Sequence, residues 1–156
     1  MIKEGDKFPE FCLKDEENKE LCLKNIKSKW KVVYFYPKDN TPGCTNEARD
    51  FSKLKEEFEK EKAFIVGISA DSVESHKKFK EKHDLKIKLL SDPEKKLIKK
   101  AAWGKKKLYG KEYEGIIRTT YLLDENNKVA KVWKNVRVKG HAEKVLNLIK
   151  ELNKNN

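Results

Sequence analysis

Apolar positions in this chain fall into short blocks that switch between two spacings. Lys31-Val32-Val33-Tyr34-Phe35-Tyr36 and Ala63 to Ser69 are runs rich in β-branched and aromatic residues, which predict two buried strands. Between them Ala48, Phe51, Leu54 and Phe58 recur at three and four residues, the spacing of one helix with a single apolar face. Asp71 and Glu74 read as a capping-box-like pair opening a helix through Val73 and Phe79. Leu89 and Leu90 end a short apolar stretch that predicts another strand. Asp92-Pro93 then fits an N-cap followed by proline at the first helical position. Thr119 to Leu123 and Lys128 to Trp133 predict a hairpin around Asp124-Glu125-Asn126-Asn127. Ala142, Val145, Leu148, Ile149 and Leu152 mark a closing amphipathic helix. Near the start, Phe11 to Leu13 and Leu21 to Leu23 predict two short strands around the polar turn Asp15 to Asn18.

This alternation predicts an α/β fold with a central sheet flanked by helices on both faces. The last hairpin makes the sheet mixed rather than purely parallel, and a smaller hairpin precedes it. No linker or repeat divides the 156 residues, so one domain spanning 1–156 is expected. A chain of this length buries a core without a disulfide framework or a metal.

Charged residues make up 40% of the chain and the formal net charge is +11, which raises nucleic-acid binding as a function. The positive charge is almost all lysine, spread along the chain and mixed with glutamate, with Arg49, Arg118 and Arg137 as the arginines. That pattern describes a solvated surface, and no nucleic-acid partner is expected. The chain opens on polar residues, and no apolar run approaches the roughly 18 residues of a membrane span. A cytoplasmic protein without a membrane partner is the expectation. The cysteines, Cys12, Cys22 and Cys44, are odd in number and widely spaced, a poor zinc site and a poor disulfide scaffold. His76, His83 and His141 lack metal-ligand spacing, and no phosphate-cradling glycine loop is present. No metal or cofactor is expected.

Cys44 carries the candidate chemistry. It follows a buried strand and a turn-rich octet, and it opens an amphipathic segment. A thiol in the first turn of a helix meets partial positive charge and unpaired N–H groups, which favour the thiolate. Pro37 stops the strand, Thr41 lies three residues before Cys44, and Pro42-Gly43 forms a tight turn that lets backbone N–H groups approach a small molecule.

Pro37, Thr41 and Cys44 reproduce the Pro-x-x-x-Thr-x-x-Cys signature, and in this the chain resembles the peroxiredoxins. The fuller run Phe35 to Ala48 is similar to the peroxiredoxin Q group, also called bacterioferritin comigratory proteins. Gly115-Ile116-Ile117-Arg118-Thr119-Thr120-Tyr121 resembles the family segment that supplies an active-site arginine, and Gly140-His141-Ala142 also fits, so the resemblance covers essentially the whole chain. It implies a thioredoxin-like fold and a thiol-dependent peroxidase acting on hydrogen peroxide and organic hydroperoxides. Cys44 is then the peroxidatic nucleophile. Arg118 lowers its pKa from the ordinary value of about 8.5 and steadies charge on the peroxide oxygen. Thr41 accepts from the peroxide and donates towards the thiolate, and Pro37 shields the sulfur. Pro42 and Gly43 line the substrate. The implied partners are a peroxide and a thiol reductant such as thioredoxin, with the protein a monomer or homodimer.

The sequence departs from the pattern at one place. Many members of the group carry a resolving cysteine five residues after the first, where this chain has Arg49, and no cysteine follows Cys44. Two readings stand: a one-cysteine enzyme whose sulfenic acid is resolved by an external thiol, or resolution by Cys12 or Cys22. A hairpin centred on Glu17 sets those two opposite each other on the more exposed face, as spare thiols or as a cross-strand disulfide. Arg49 either adds positive potential near Cys44 or is a surface residue. The competing functions are a thiol–disulfide oxidoreductase, against which the lack of Cys-x-x-Cys argues, and a redox-regulated holdase on the same fold.

Overall fold

The computed structural model describes residues 2–155. It opens with a hairpin of β1 (Cys12–Asp15) and β2 (Glu20–Cys22), in which Cys12 pairs with Cys22 as the sequence implies. Both strands are shifted from expectation: β1 runs on to Asp15, and β2 ends at Cys22 because Leu23 belongs to a short 3-10 turn, Leu23–Asn25. Next come β3 (Trp30–Phe35), α1 (Pro42–Lys53), α2 (Lys55–Lys60), β4 (Ala63–Ser69), α3 (Val73–His83), β5 (Lys88–Ser91) and α4 (Lys96–Ala101). β6 (Trp103–Leu108), β7 (Lys111–Ile116), β8 (Thr119–Leu123), β9 (Val129–Lys134) and α5 (His141–Lys154) complete it.

The main sheet has the order β2-β1-β5-β4-β3-β8-β9. β3 and β5 run parallel to β4, and the remaining pairs are antiparallel. All six residues of β3 are buried, as a central strand covered on both faces requires. Alternate side chains divide the core. Val32 and Tyr34 join Phe51, Phe58, Phe79, Val145 and Ile149 on one face. Val33 and Phe35 join Leu97, Ile98 and Tyr121 on the other. Each fully buried aliphatic or phenylalanine side chain contributes roughly 1.5–3 kcal/mol. No helix among the described residues is long and apolar enough to cross a membrane.

Four expectations need correction. The single helix through Ala48 to Phe58 is broken at Leu54, which ends α1 and starts α2. Ser72, not Asp71, caps α3, its hydroxyl accepting from the Ser75 N–H. α4 begins at Lys96, beyond Pro93, and Asp92 reaches forward to accept from the N–H groups of Leu97 and Ile98. The two-stranded β6–β7 ribbon was not expected, since its lysine-rich, mostly exposed residues carry little apolar alternation. Tyr109 at its tip is 96% exposed.

Candidate active site

β3 ends in the middle of the sheet and delivers the chain into the loop from Pro37 to Thr41. Thr41 is the N-cap residue of α1 and Pro42 its first helical residue, where the missing N–H costs nothing and the fixed φ suits the helix. Cys44 therefore sits in the first turn. Its thiol is free and 2% exposed.

Arg118 lies between β7 and β8 and comes back across the sheet to this turn. Its Nη2 donates to Cys44 Sγ at 3.3 Å and its Nη1 to Glu47 Oε1 at 2.6 Å. Gly43 makes room for this. A Cβ there would stand 3.2 Å from Arg118 Nη2, so the glycine admits the guanidinium between the helix start and the sulfur. Thr41 departs from expectation in one respect. Its hydroxyl donates to the Lys38 carbonyl at 2.8 Å and leaves its lone pairs to accept.

Glu47 is the residue the sequence reading missed. It lies three residues after Cys44 on the same helical face and is 1% exposed. Burial pushes its carboxyl up to about 7, against the opposing pull of Arg118. Burial works against the Arg118 charge, but Glu47 and Cys44 outweigh it and raise the guanidinium above its ordinary value. The signal available in the sequence was a lone acid one turn beyond the cysteine. His141 opens α5, and its Nε2 lies 2.8 Å from Thr120 Oγ1. Burial lowers its pKa to about 4, which fits a neutral structural ring.

Cys12 and Cys22 are joined to each other by a disulfide with Cα atoms 4.0 Å apart. Neither is a spare thiol in this state, and Cys22 is buried at 7% rather than on the exposed side, under the 3-10 turn that follows it. β1 lies three strands from β3, about 14 Å at ordinary strand spacing. The fold brings Arg118 to the helix start formed by Thr41, Pro42, Gly43 and Cys44, with Pro37 at the far end of the loop that leads into it, and leaves Cys12 and Cys22 at the sheet edge. Arg49 is exposed on the outer face of α1 and acts on His83, whose pKa is lowered by burial and then by that charge. Asp39, Asp71 and His76 have ligand atoms close enough to hold a metal. Hydrogen bonds already engage each of these side chains, so the trio reads as a network. The Cys12, Glu20 and Cys22 group has both its sulfurs committed to the disulfide.

The AhpC/TSA family sequence model matches residues 4–132. A Helicobacter pylori protein named putative peroxiredoxin bcp is 49% identical over 146 residues, covering 93% of this chain and 96% of its own length. Peroxiredoxin Bcp of Bacillus subtilis is 45% identical and covers 97% of each chain. Among solved structures, a PrxQ from Xylella fastidiosa superposes with a TM-score of 0.91 at 35% identity over 97% of both chains. The bacterioferritin comigratory protein of Xanthomonas campestris superposes with a TM-score of 0.85 at 39% identity over 90% of both chains. These likenesses run the length of the thioredoxin-like sheet and helices, and the chain belongs to the AhpC/TSA family as a peroxiredoxin of the Bcp/PrxQ kind, a thiol peroxidase.

Proposed function

We propose that Cys44 is the peroxidatic thiol and that Arg118, Thr41 and Pro37 build the peroxide site around it. The observation that carries this reading is the Arg118 guanidinium donating to the sulfur at 3.3 Å. A charge-assisted bond of that kind favours negative charge on the acceptor. The Cys44 thiolate attacks one peroxide oxygen. The O–O bond breaks, the sulfur becomes a sulfenic acid that keeps the proton of the attacked oxygen, and the other oxygen takes a proton from solvent and leaves as water or an alcohol. Thr41 Oγ1 accepts a hydrogen bond from the peroxide O–H, the first-turn N–H groups of Gly43 and Cys44 face the developing charge, and Pro37 limits water. Pro42 and Gly43 line the bound peroxide.

The family implies a peroxide substrate and a thiol reductant. We assign resolution to an external thiol. It condenses with the sulfenic acid, releasing water, and a second thiol restores Cys44 as a disulfide leaves. The Cys12–Cys22 bond three strands away supports this over resolution within the chain. The reductant is then a dithiol protein such as thioredoxin, meeting a monomer or homodimer in the cytoplasm. Substrates extend from hydrogen peroxide to organic hydroperoxides.

The test is peptide-mapped mass spectrometry after one equivalent of hydrogen peroxide, with a sulfenic-acid trap. Trap adduct on Cys44, with Cys12 and Cys22 still bonded to each other, is expected. A Cys44 disulfide to Cys12 or Cys22 would overturn external resolution, and an unmodified Cys44 would overturn the peroxidatic assignment.

A further inference from the structure

Beneath the loop that joins β3 to α1 lies a buried polar network that the peroxide chemistry above does not use. Asp39 stands midway between Pro37 and Thr41, and its side chain is 2% exposed. Its Oδ1 accepts from Tyr36 Oη at 2.6 Å. Its Oδ2 accepts from Ser75 Oγ at 2.8 Å and lies 2.7 Å from His76 Nδ1. Its backbone N–H donates to Asp71 Oδ2 at 2.8 Å. His76 is fully buried in α3, and its Nε2 lies 2.9 Å from the Leu90 carbonyl oxygen of β5.

The Leu90 carbonyl oxygen only accepts, so Nε2 carries hydrogen. Asp39 receives Tyr36 and Ser75 and lies against Nδ1, so the ring bridges the loop and β5. This buried contact links the loop carrying Pro37 and Thr41 to two rigid elements, α3 and β5. The link is short. Thr41 holds its hydroxyl on the Lys38 carbonyl, and Lys38 adjoins Asp39.

We propose that His76 is a positioning residue for the peroxide reaction: through Asp39 it holds the Pro37–Thr41 loop, and so Thr41 and the start of α1, in the geometry in which Cys44 meets peroxide. This rests on the reading of Cys44 as the peroxidatic thiol. A misplacement of about 1 Å in such a site costs on the order of a hundredfold in rate.

The test compares two rates at Cys44 in wild type, His76→Phe, Asp39→Asn and the double variant. The Cys12–Cys22 bond is kept oxidised so that Cys44 is the reacting thiol. One rate is sulfenic-acid formation with hydrogen peroxide, which needs the loop. The other is alkylation by iodoacetamide, which needs the thiolate but not the loop. In variants with wild-type circular dichroism, the peroxide rate is expected to fall roughly tenfold to a hundredfold. Alkylation holds or rises, and the double variant loses no more than the worse single one. Asp39→Asn keeps the side chain's size and an acceptor for Tyr36, and it carries the same expectation if His76→Phe does not fold. A peroxide rate within about twofold of wild type, or both rates falling in parallel, overturns the inference. A wild-type Cys44 inert to peroxide overturns the functional reading itself, so the two failures are distinguishable.

Discussion

Glu47 lies one helical turn beyond Cys44 on α1, and both face the same guanidinium, at 2.6 Å and 3.3 Å from its two terminal nitrogens. The carboxylate holds the fork of Arg118 so that its second arm meets the sulfur. A lysine carries the charge but not the planar fork. Arg118→Lys is expected to slow sulfenic-acid formation at Cys44 by roughly 10²–10³-fold, the usual cost of losing a preorganised donor. Stopped-flow kinetics with hydrogen peroxide read the effect, and a wild-type rate in the variant would remove Arg118 from the site.

Gly43→Ala separates stability from activity. Alanine exceeds glycine inside a helix by about 1 kcal/mol, so the melting temperature is expected to hold or rise. The new methyl group would stand 3.2 Å from Arg118 Nη2 and force it to give by a few tenths of an ångström, which loosens its contact with the sulfur. Peroxide reactivity then drops while the protein is at least as stable. A variant both stable and fully reactive would show that Gly43 is there for the turn alone.

Two buried groups tilt the stability profile in opposite directions with pH. Glu47 titrates near 7 in the folded protein against an ordinary 4.5. Between those values the folded state holds a proton the unfolded state has lost, so stability falls as pH rises. His141 titrates near 4 against an ordinary 6.5. There the unfolded state holds the extra proton, and stability falls as pH drops. The slopes oppose each other from about pH 4.5 to 6.5. Urea unfolding of Glu47→Gln is expected to show stability climbing with pH in that window, and His141→Gln to show it descending up to about pH 7. Each is a change of roughly 2–3 kcal/mol. Profiles parallel to wild type in both variants would contradict the burial argument.

The hairpin disulfide closes a loop with a sequence separation of 10. Replacing both cysteines by serine is expected to cost up to about 2–3 kcal/mol in unfolding free energy. The rate at which Cys44 reacts with peroxide should stay at the wild-type value, because the pair is three strands from β3. A marked loss of that rate in a folded double variant would place the hairpin in the catalytic cycle.

Legibility in the sequence followed the strength of local signals. β4 was readable to the residue because Ala63–Ser69 is a mostly apolar run, buried but for the half-buried Phe64, and the hairpin of β8 and β9 because a four-residue polar turn separates two apolar strips. Pro37, Thr41 and Cys44 were readable because they lie within eight residues of one another. Arg118 needed the family resemblance, being 74 residues from the sulfur it faces. Glu47, Asp39 and His76 were not readable as a site. Their roles depend on burial and on partners from other elements, and an isolated acid or histidine in a 40% charged chain looks like surface. The β6–β7 ribbon escaped because a two-stranded exposed element buries too little to leave a period in the sequence.

Cys44 is the one free cysteine of the described residues, and on the external resolution proposed above this gives each oxidised molecule a race rather than a fixed path. On that reading the sulfenic acid lasts until an outside donor arrives or a second peroxide carries it to the sulfinic form, which ordinary thiols do not reverse. The fraction of molecules lost per turnover is then set by the ratio of thiol to peroxide around the protein, and the inactivated pool becomes a running record of the times that ratio collapsed.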